Sequence, residues 1–525
     1  MSGADSEGSE SSAQQVADAK NVGRGALFLT FTKMWFLASS YVIVAILSRI
    51  LGEGEVGVQR YGQYSVVTGF AAIINAFIVF GTQQAVSRFV GRAPEMADGV
   101  RRAAYRLQAF VGGGVFAIIF VGAPWFAETV YEDPALATPI RYAGLISLFY
   151  AFYAIFMGYL NGTRQFGRQA LVDFSYATVK CILILGFAAL FMDSVGVLSA
   201  PILGFAAASF FALLLGWWLS GPAKGEGSLT VKELFQFQAF TMVFAGVSTL
   251  ILQADLQVLK IFGPSGDEGK YLLGLYRAAQ QFAQIPFQAV FAITFVLFPL
   301  VSAAAGRDSE KMRGYVRETT RYAFIIAAII CAMFFACPER TLTILFKPEY
   351  MAAGETLRIL VLGYMLFSPL YIMCAILNAG GRPTFSVIIV AVTVVIECLL
   401  AYYLVADYGI AGIATATSIA MAVGFGLGHL FLRRSFGQGV VFPVYIKTII
   451  AAAVIAAAGH ALLARETLWG GHGLVAMVGG TGLTAKLMTV VGFSVLGLIY
   501  LILLSIIGVL NTEDKAKFMK VIKRG

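Results

Sequence analysis

The sequence predicts an all-α polytopic membrane protein with about fourteen transmembrane helices, two six-helix lobes related by a parallel repeat plus two C-terminal helices. Composition, the spacing of apolar runs and the repeat itself predict it. Hydrophobic residues make up 59% of the 525 residues and charged ones 13%, about half the usual charged share. So few charges cannot cover a water-soluble fold of this size, which excludes a soluble enzyme, a secreted disulfide scaffold and a disordered chain. Cys181, Cys331, Cys337, Cys374 and Cys398 all fall in apolar runs, so none reads as part of an extracellular disulfide framework.

A hydrocarbon core needs about 20 apolar residues per helix, and on that ruler the elements follow in order. Helix one is expected over 25–48 and carries Lys33. Helix two, 64–86, is opened by Tyr61-Gly62-Gln63-Tyr64 and followed by Gly91-Arg92. Helices three to six span 107–127, 138–160, 170–192 and 196–219, with Arg141 near the start of the fourth and Leu160-Asn161 at its end. Helix seven, 234–259, carries Asp255. Helix eight, 273–302, is opened by Leu273-Gly274-Leu275-Tyr276 and followed by Gly306-Arg307. Helices nine to twelve span 319–337, 355–378, 384–405 and 411–432; the tenth repeats the fourth with Arg358 and Leu377-Asn378. Helices thirteen and fourteen, 446–464 and 484–509, lie outside the repeat.

The matched motifs stand 212 to 217 positions apart and in the same order. Six helices separate the copies, so both halves share one orientation, as in transporters built from parallel repeats. The expected organisation is a disordered cytoplasmic segment at 1–22, an N-lobe at 23–220 and a cytoplasmic linker at 221–233. A C-lobe at 234–435, helices thirteen and fourteen within 436–510 and a basic cytoplasmic tail at 511–525 complete it. Lys and Arg concentrate on the side that holds both termini: 25 of 38, against ten on the other side. The positive-inside rule makes that side cytoplasmic. Most of the net charge of +9 is therefore a topology signal, and no nucleic-acid partner is expected.

Ionisable groups in hydrocarbon are expensive and mark function by default. The cations at membrane depth are Lys33, Lys180 and Arg277; the acids are Asp173, Asp255 and Glu397. Arg277, Gln281, Gln284 and Gln288 recur at i, i+4, i+7 and i+11, one helical face, which either sees substrate or glues neighbouring helices. Thr241, Ser248 and Asp255 form a weaker stripe on helix seven. Tyr64, Thr68 and Asn75 do so on helix two, and Asp173, Tyr176 and Lys180 on helix five. Together they suggest a hydrated cavity whose cations suit phosphate or carboxylate. Lys33 could instead snorkel to the interface, and Lys180 could pair with an acid. Asp255, Glu397 and Asp173 are candidates for ion coupling or for structural pairing.

Other features carry less. Gly263-Pro264-Ser265-Gly266-Asp267-Glu268-Gly269-Lys270 lacks the first glycine and the final hydroxyl of a phosphate loop, so ATP is not expected there. His429, His460 and His472 have no metal-ligand spacing. The arginine clusters Arg101, Arg102, Arg106 and Arg313, Arg317, Arg321 suit phospholipid headgroups.

Ala45-Ile46-Leu47-Ser48-Arg49-Ile50-Leu51-Gly52, followed by Tyr61-Gly62-Gln63-Tyr64, resembles the opening of polysaccharide (Wzx-type) flippases. Gln84-Ala85-Val86-Ser87-Arg88-Phe89-Val90, Leu297-Phe298-Pro299 and Leu377-Asn378-Ala379-Gly380-Gly381-Arg382-Pro383 continue the likeness over about residues 20–435. The resemblance implies the multidrug/oligosaccharidyl-lipid/polysaccharide exporter fold, with two six-helix lobes forming a cavity that alternates between the membrane faces. It also implies outward movement of an isoprenoid-diphosphate-linked oligosaccharide in the cell (cytoplasmic or inner) membrane. The two extra helices and the cavity cations favour an anionic lipid-linked cargo over the cations taken by the drug-exporting branch. A membrane enzyme is not expected, because the longest extracytoplasmic loop, 465–483, offers Glu466 and His472 only. The expected partners are the lipid-linked oligosaccharide, membrane lipids and polysaccharide polymerase or assembly proteins. No cofactor or metal is expected, and an H+ or Na+ gradient is the candidate driver.

Overall fold

Backbone polar groups in hydrocarbon have no water to bond, so apolar runs of this length must satisfy themselves as helices. The computed structural model describes residues 28, 31–222, 227, 229–291, 301, 309–464, 482–510 and 514. Among them no strand occurs. The expected disordered segment, the far end of helix eight with Gly306-Arg307 and Leu297-Phe298-Pro299, most of the 465–483 loop with His472, and the basic tail apart from Asp514 lie outside the described residues.

The chain divides by packing into two units, residues 1–53 with 63–253, and 54–62 with 254–525. In the first, α1 (Phe31–Ile50) and α2 (Gly54–Asn75) lead through a π-helical stretch, Ala76–Phe80, into α3 (Gly81–Arg92). There follow α4 (Ala97–Trp125), α5 (Ala137–Gly162), α6 (Phe166–Val195) and α7 (Ser199–Ser220). A capping box starts α8 (Val231–Leu250): Glu233 N–H donates to Thr230 Oγ1, and Thr230 N–H donates back to Glu233, satisfying two orphan donors.

The second unit holds α9 (Ala254–Phe262), α10 (Gly266–Ala283), α11 (Ser309–Ala336) and the short α12 (Pro338–Leu345). It continues with α13 (Gly354–Ala379), α14 (Pro383–Phe436), α15 (Phe442–Gly459) and α16 (Leu483–Ile506). The repeat is visible in these bounds. Helices α5 and α13 both have 26 residues and begin and end 217 positions apart, the offset of Arg141 to Arg358. The starts of α6 and α14 keep it.

Eleven described helices are long and apolar enough to cross a membrane, or twelve if α8 and α9 form one broken span. The expected count of about fourteen is not reached in that form among the described residues. The 54-residue α14 counts once, yet at about 1.5 Å per residue it is far longer than a bilayer is thick. It breaks at Gly409, whose φ of 52° and ψ of −132° are not helical, between the spans expected at 384–405 and 411–432. Helix eight is described continuously to residue 291; it is interrupted at Gln284, near Pro286, which has no N–H to give, and is helical again over 285–291.

Packing places α8 with the first unit. A Cβ on Gly81 would lie 2.3 Å from Met242 Cγ, and Gln238 Nε2 donates to Thr82 Oγ1 at 3.0 Å. Conversely Gly54–Gly62 goes with the second unit. Tyr61 is 2% exposed, edge-on to Phe346 and Tyr350. A Cβ on Gly62 would sit 2.6 Å from Gly274 N, and one on Gly274 would sit 2.1 Å from Val58 O. The two copies of the repeated motif thus meet glycine to glycine inside this unit. Helices α15 and α16 cover α11: Tyr445 OH donates to Thr320 O at 2.9 Å and Tyr500 OH to Ile325 O at 3.3 Å.

Candidate functional site

The intramembrane charges gather into two clusters, one in each unit. In the first, α6 presents Asp173, Tyr176 and Lys180 on one face, as their spacing of three and four residues requires. From α1, Lys33 Nζ bonds Asp173 Oδ2 at 2.8 Å, with the lysine side chain 48% exposed and the aspartate 9%. Tyr153 OH on α5 donates to the other oxygen, Asp173 Oδ1, at 3.1 Å. The Tyr150 and Tyr176 hydroxyls also bond each other. Asp173 is therefore held by a cation and a hydroxyl.

Lys180 is different. It is 8% exposed, and no carboxylate among the described residues pairs with it. Its ammonium instead rests on aromatic faces, 4.2 Å from the centroid of Phe36, 5.6 Å from Phe205 and 5.7 Å from Tyr176. A desolvated cation–π contact is worth about 2 kcal/mol, against several kcal/mol to take an ammonium out of water. The rings offset only part of the cost. An anion reaching Lys180 would offset the rest.

In the second unit the centre is Asp255, 0% exposed at the start of α9. Tyr276 OH donates to Oδ2 at 2.6 Å, Gln280 Nε2 reaches both oxygens at 2.9 and 2.8 Å, and Leu256 N–H donates to Oδ1 at 2.8 Å. Arg277 Nη1 donates to Gln280 Oε1. The carboxamide thus links the guanidinium to the buried carboxylate. Glu397 on α14 is 1% exposed and close enough to Asp255 for their charges to interact. Thr417 OH donates to Glu397 Oε1 at 3.0 Å, while Oε2 is buried with no hydrogen-bond partner. A buried carboxylate with one bare oxygen is costly.

The expected helix-eight face splits. Gln284 Nε2 donates to Tyr364 OH at 3.2 Å and is 7% exposed, as is Gln281; Gln288 is half-buried. Asn75 sits just before the π-helical stretch with its Oδ1 buried and unbonded, and it makes no bond to the Lys180 cluster. Gln280 was not expected, although it lies three residues from Arg277; Thr417 and Tyr364 carry no signal beyond polarity in an apolar run. Among the described residues no three His, Cys, Asp or Glu side chains cluster to hold a metal.

Two of the six arginines expected at lipid headgroups are interior instead. Arg101 is 6% exposed, donates to Gly221 O at 2.6 Å and lies over the Phe156 and Tyr159 rings. Arg321 bonds Asp514 and Glu318, each at 2.7 Å. Both face unmet carbonyl or carboxylate oxygens near helix ends, which draw a guanidinium inward. Arg102, Arg106, Arg313 and Arg317 are exposed, as a headgroup contact requires.

A family model described as "Polysaccharide biosynthesis protein" matches residues 22–305, and one described as MatE matches residues 261–403. The uncharacterized membrane protein YabM of Bacillus subtilis (strain 168) is 22% identical over 476 residues, which cover 83% of this chain and 86% of that protein. Among solved structures, the lipid II flippase MurJ in an inward closed conformation is similar at a TM-score of 0.69 and 14% identity, over 92% of this chain and 98% of that one. An inward-facing multidrug resistance MATE family transporter of the MOP superfamily is similar at 0.61 and 18% identity, over 78% and 98%. At these identities the likeness is one of fold.

Proposed function

The chain belongs to the polysaccharide biosynthesis protein family and has the fold of the MOP exporter superfamily. On that premise we propose that it is a flippase moving an isoprenoid-diphosphate-linked oligosaccharide from the cytoplasmic to the outer leaflet by alternating access, for surface polysaccharide biosynthesis. Lys180 carries the reading. A desolvated ammonium held by rings, with no carboxylate paired to it among the described residues, is matched to a diphosphate, whose oxygens make charge-assisted bonds that the rings cannot.

Lys33 serves the same anion. Half-exposed and paired with Asp173, it can exchange that carboxylate for an incoming phosphate while Tyr153 keeps Asp173 bonded. In the second unit Arg277, Gln280 and Asp255 form a relay. An anion that draws Arg277 away from Gln280 changes the polarisation of Asp255 and, through it, the charge Glu397 tolerates. This is how an H+ or Na+ gradient is coupled to cargo. Gln281, Gln284 and Gln288 of helix eight supply hydrogen bonds to sugar hydroxyls.

Replacing Lys180 by Ala should abolish surface glycan while the protein stays at wild-type level in the membrane, and Lys180→Arg should keep part of it. Normal glycan display from the alanine variant overturns the assignment. A second reading, a cation-coupled multidrug exporter, is favoured by the buried acids Asp255 and Glu397 and by the MatE match. Resistance to cationic dyes on expression, with surface glycan unchanged when the gene is deleted, would select it.

A further inference from the structure

On one side of the second unit, α11, α13 and α15 leave an apolar cavity of about 520 Å³. It exists because the facing positions are alanines: Ala328, Ala332 and Ala336, one turn apart on α11, and Ala452, Ala453 and Ala456 on α15. Side chains this small cannot fill the space between three helices. Leu362 and Ile449 also line it and are 47% and 44% exposed, so the cavity opens outward. All three helices are long and apolar enough to cross a membrane, and the medium outside them at that depth is the bilayer.

One end of the cavity is polar. Arg358, in the first turns of α13, and His460, just past α15, line it there, with His460 Nδ1 3.0 Å from Ala336 O. A second cavity of about 550 Å³ shares Phe335, Arg358 and Leu362 with the first and adds Glu339 and Glu355. Arg358 Nη2 is 3.5 Å from Glu339 Oε1, with the two side chains 36% and 38% exposed, a long contact that leaves guanidinium donors unused. The polar end thus offers one guanidinium beside two carboxylates. A purely anionic headgroup would meet the carboxylates, and a choline headgroup has no N–H to give them. An ethanolamine headgroup satisfies both signs, phosphate on Arg358 and ammonium on Glu339 and Glu355.

We propose that the joined cavities are a binding site for phosphatidylethanolamine, with one acyl chain among the alanines and the zwitterionic headgroup across Arg358, Glu339 and Glu355. It shares no residue with the Lys180 cluster or the Asp255 relay, and binding here is independent of which cargo crosses.

The full-length chain in detergent is titrated with phosphatidylethanolamine, phosphatidylglycerol and phosphatidylcholine of one acyl composition, and with an isoprenyl phosphate, following the thermal unfolding midpoint. Phosphatidylethanolamine should raise the midpoint at the lowest concentration. Arg358→Ala and Glu355→Gln should each weaken its apparent affinity about tenfold, the scale of one charge-assisted bond. Ala453→Phe should remove the response to all the phospholipids. An equal response to phosphatidylglycerol, an undiminished response in Glu355→Gln, or tighter binding of isoprenyl phosphate that Ala453→Phe abolishes would each overturn the proposal. Glu355→Gln is isosteric and exposed, so it decides the matter even if the phenylalanine variant does not fold.

Discussion

Lys33 Nζ stands 2.8 Å from Asp173 Oδ2, joining the first membrane helix to the sixth helix of the same unit through one ion pair. Its partner Tyr153 completes the carboxylate's bonding. Asp173 therefore positions Lys33, and the neighbouring Lys180 is left to the aromatic rings.

Asp173→Asn should destabilise the first unit by about 1–2 kcal/mol, because a charge-assisted bond is lost while the half-exposed Lys33 regains solvent. Adding Lys33→Met should recover part of that loss. A double-mutant cycle on thermal unfolding midpoints measures the coupling; additive effects would show that the pair does not interact.

Gly62→Ala and Gly274→Ala should each cost about 1–3 kcal/mol, since a Cβ at either position meets backbone of the other helix below 3 Å and overpacking is penalised on that scale. Gly113→Ala, with nothing within 4 Å of its Cβ, should be neutral or slightly stabilising, because alanine is the better helix former. Comparing the three midpoints in one detergent tests the claim that the repeated motif is a helix-crossing point.

Glu397→Gln should fold, because the amide keeps the bond from Thr417 and gives the unbonded Oε2 position a neutral group. Transport in proteoliposomes should then lose its response to an imposed H+ or Na+ gradient while cargo binding persists. An unchanged gradient response would remove Glu397 from the coupling mechanism.

Asp514→Ala should destabilise the protein by about 1–3 kcal/mol, since Arg321 keeps Glu318 but loses its more buried partner. A lower thermal unfolding midpoint in detergent checks this. An unchanged midpoint would show that the ion pair does not contribute to stability.

Fold class was legible because apolar length is a one-dimensional property. The 217-residue offset of Arg141 and Arg358 anticipated the matching bounds of α5 and α13. What the sequence hid depends on packing. Nothing in a run of apolar residues says that α8 is drawn to α3 by the space over Gly81. Of the site, Lys33, Asp173 and Lys180 were visible as charges in hydrocarbon. That Lys33 takes Asp173 while Lys180 takes Phe36, Phe205 and Tyr176 is three-dimensional information. Gln280 was hidden for the same reason: its importance comes from Asp255, 25 residues away.

The central claim is that Lys180 receives the diphosphate of a lipid-linked oligosaccharide. The direct measurement reconstitutes the full chain in vesicles with a fluorescent isoprenoid-diphosphate oligosaccharide and follows its exposure to a membrane-impermeant quencher. Wild type should transfer the lipid between leaflets, and Lys180→Ala should slow transfer by about tenfold to a hundredfold, as the loss of a bond of about 1.5–3 kcal/mol to a charged group demands. Transfer by Lys180→Ala at the wild-type rate would contradict the account.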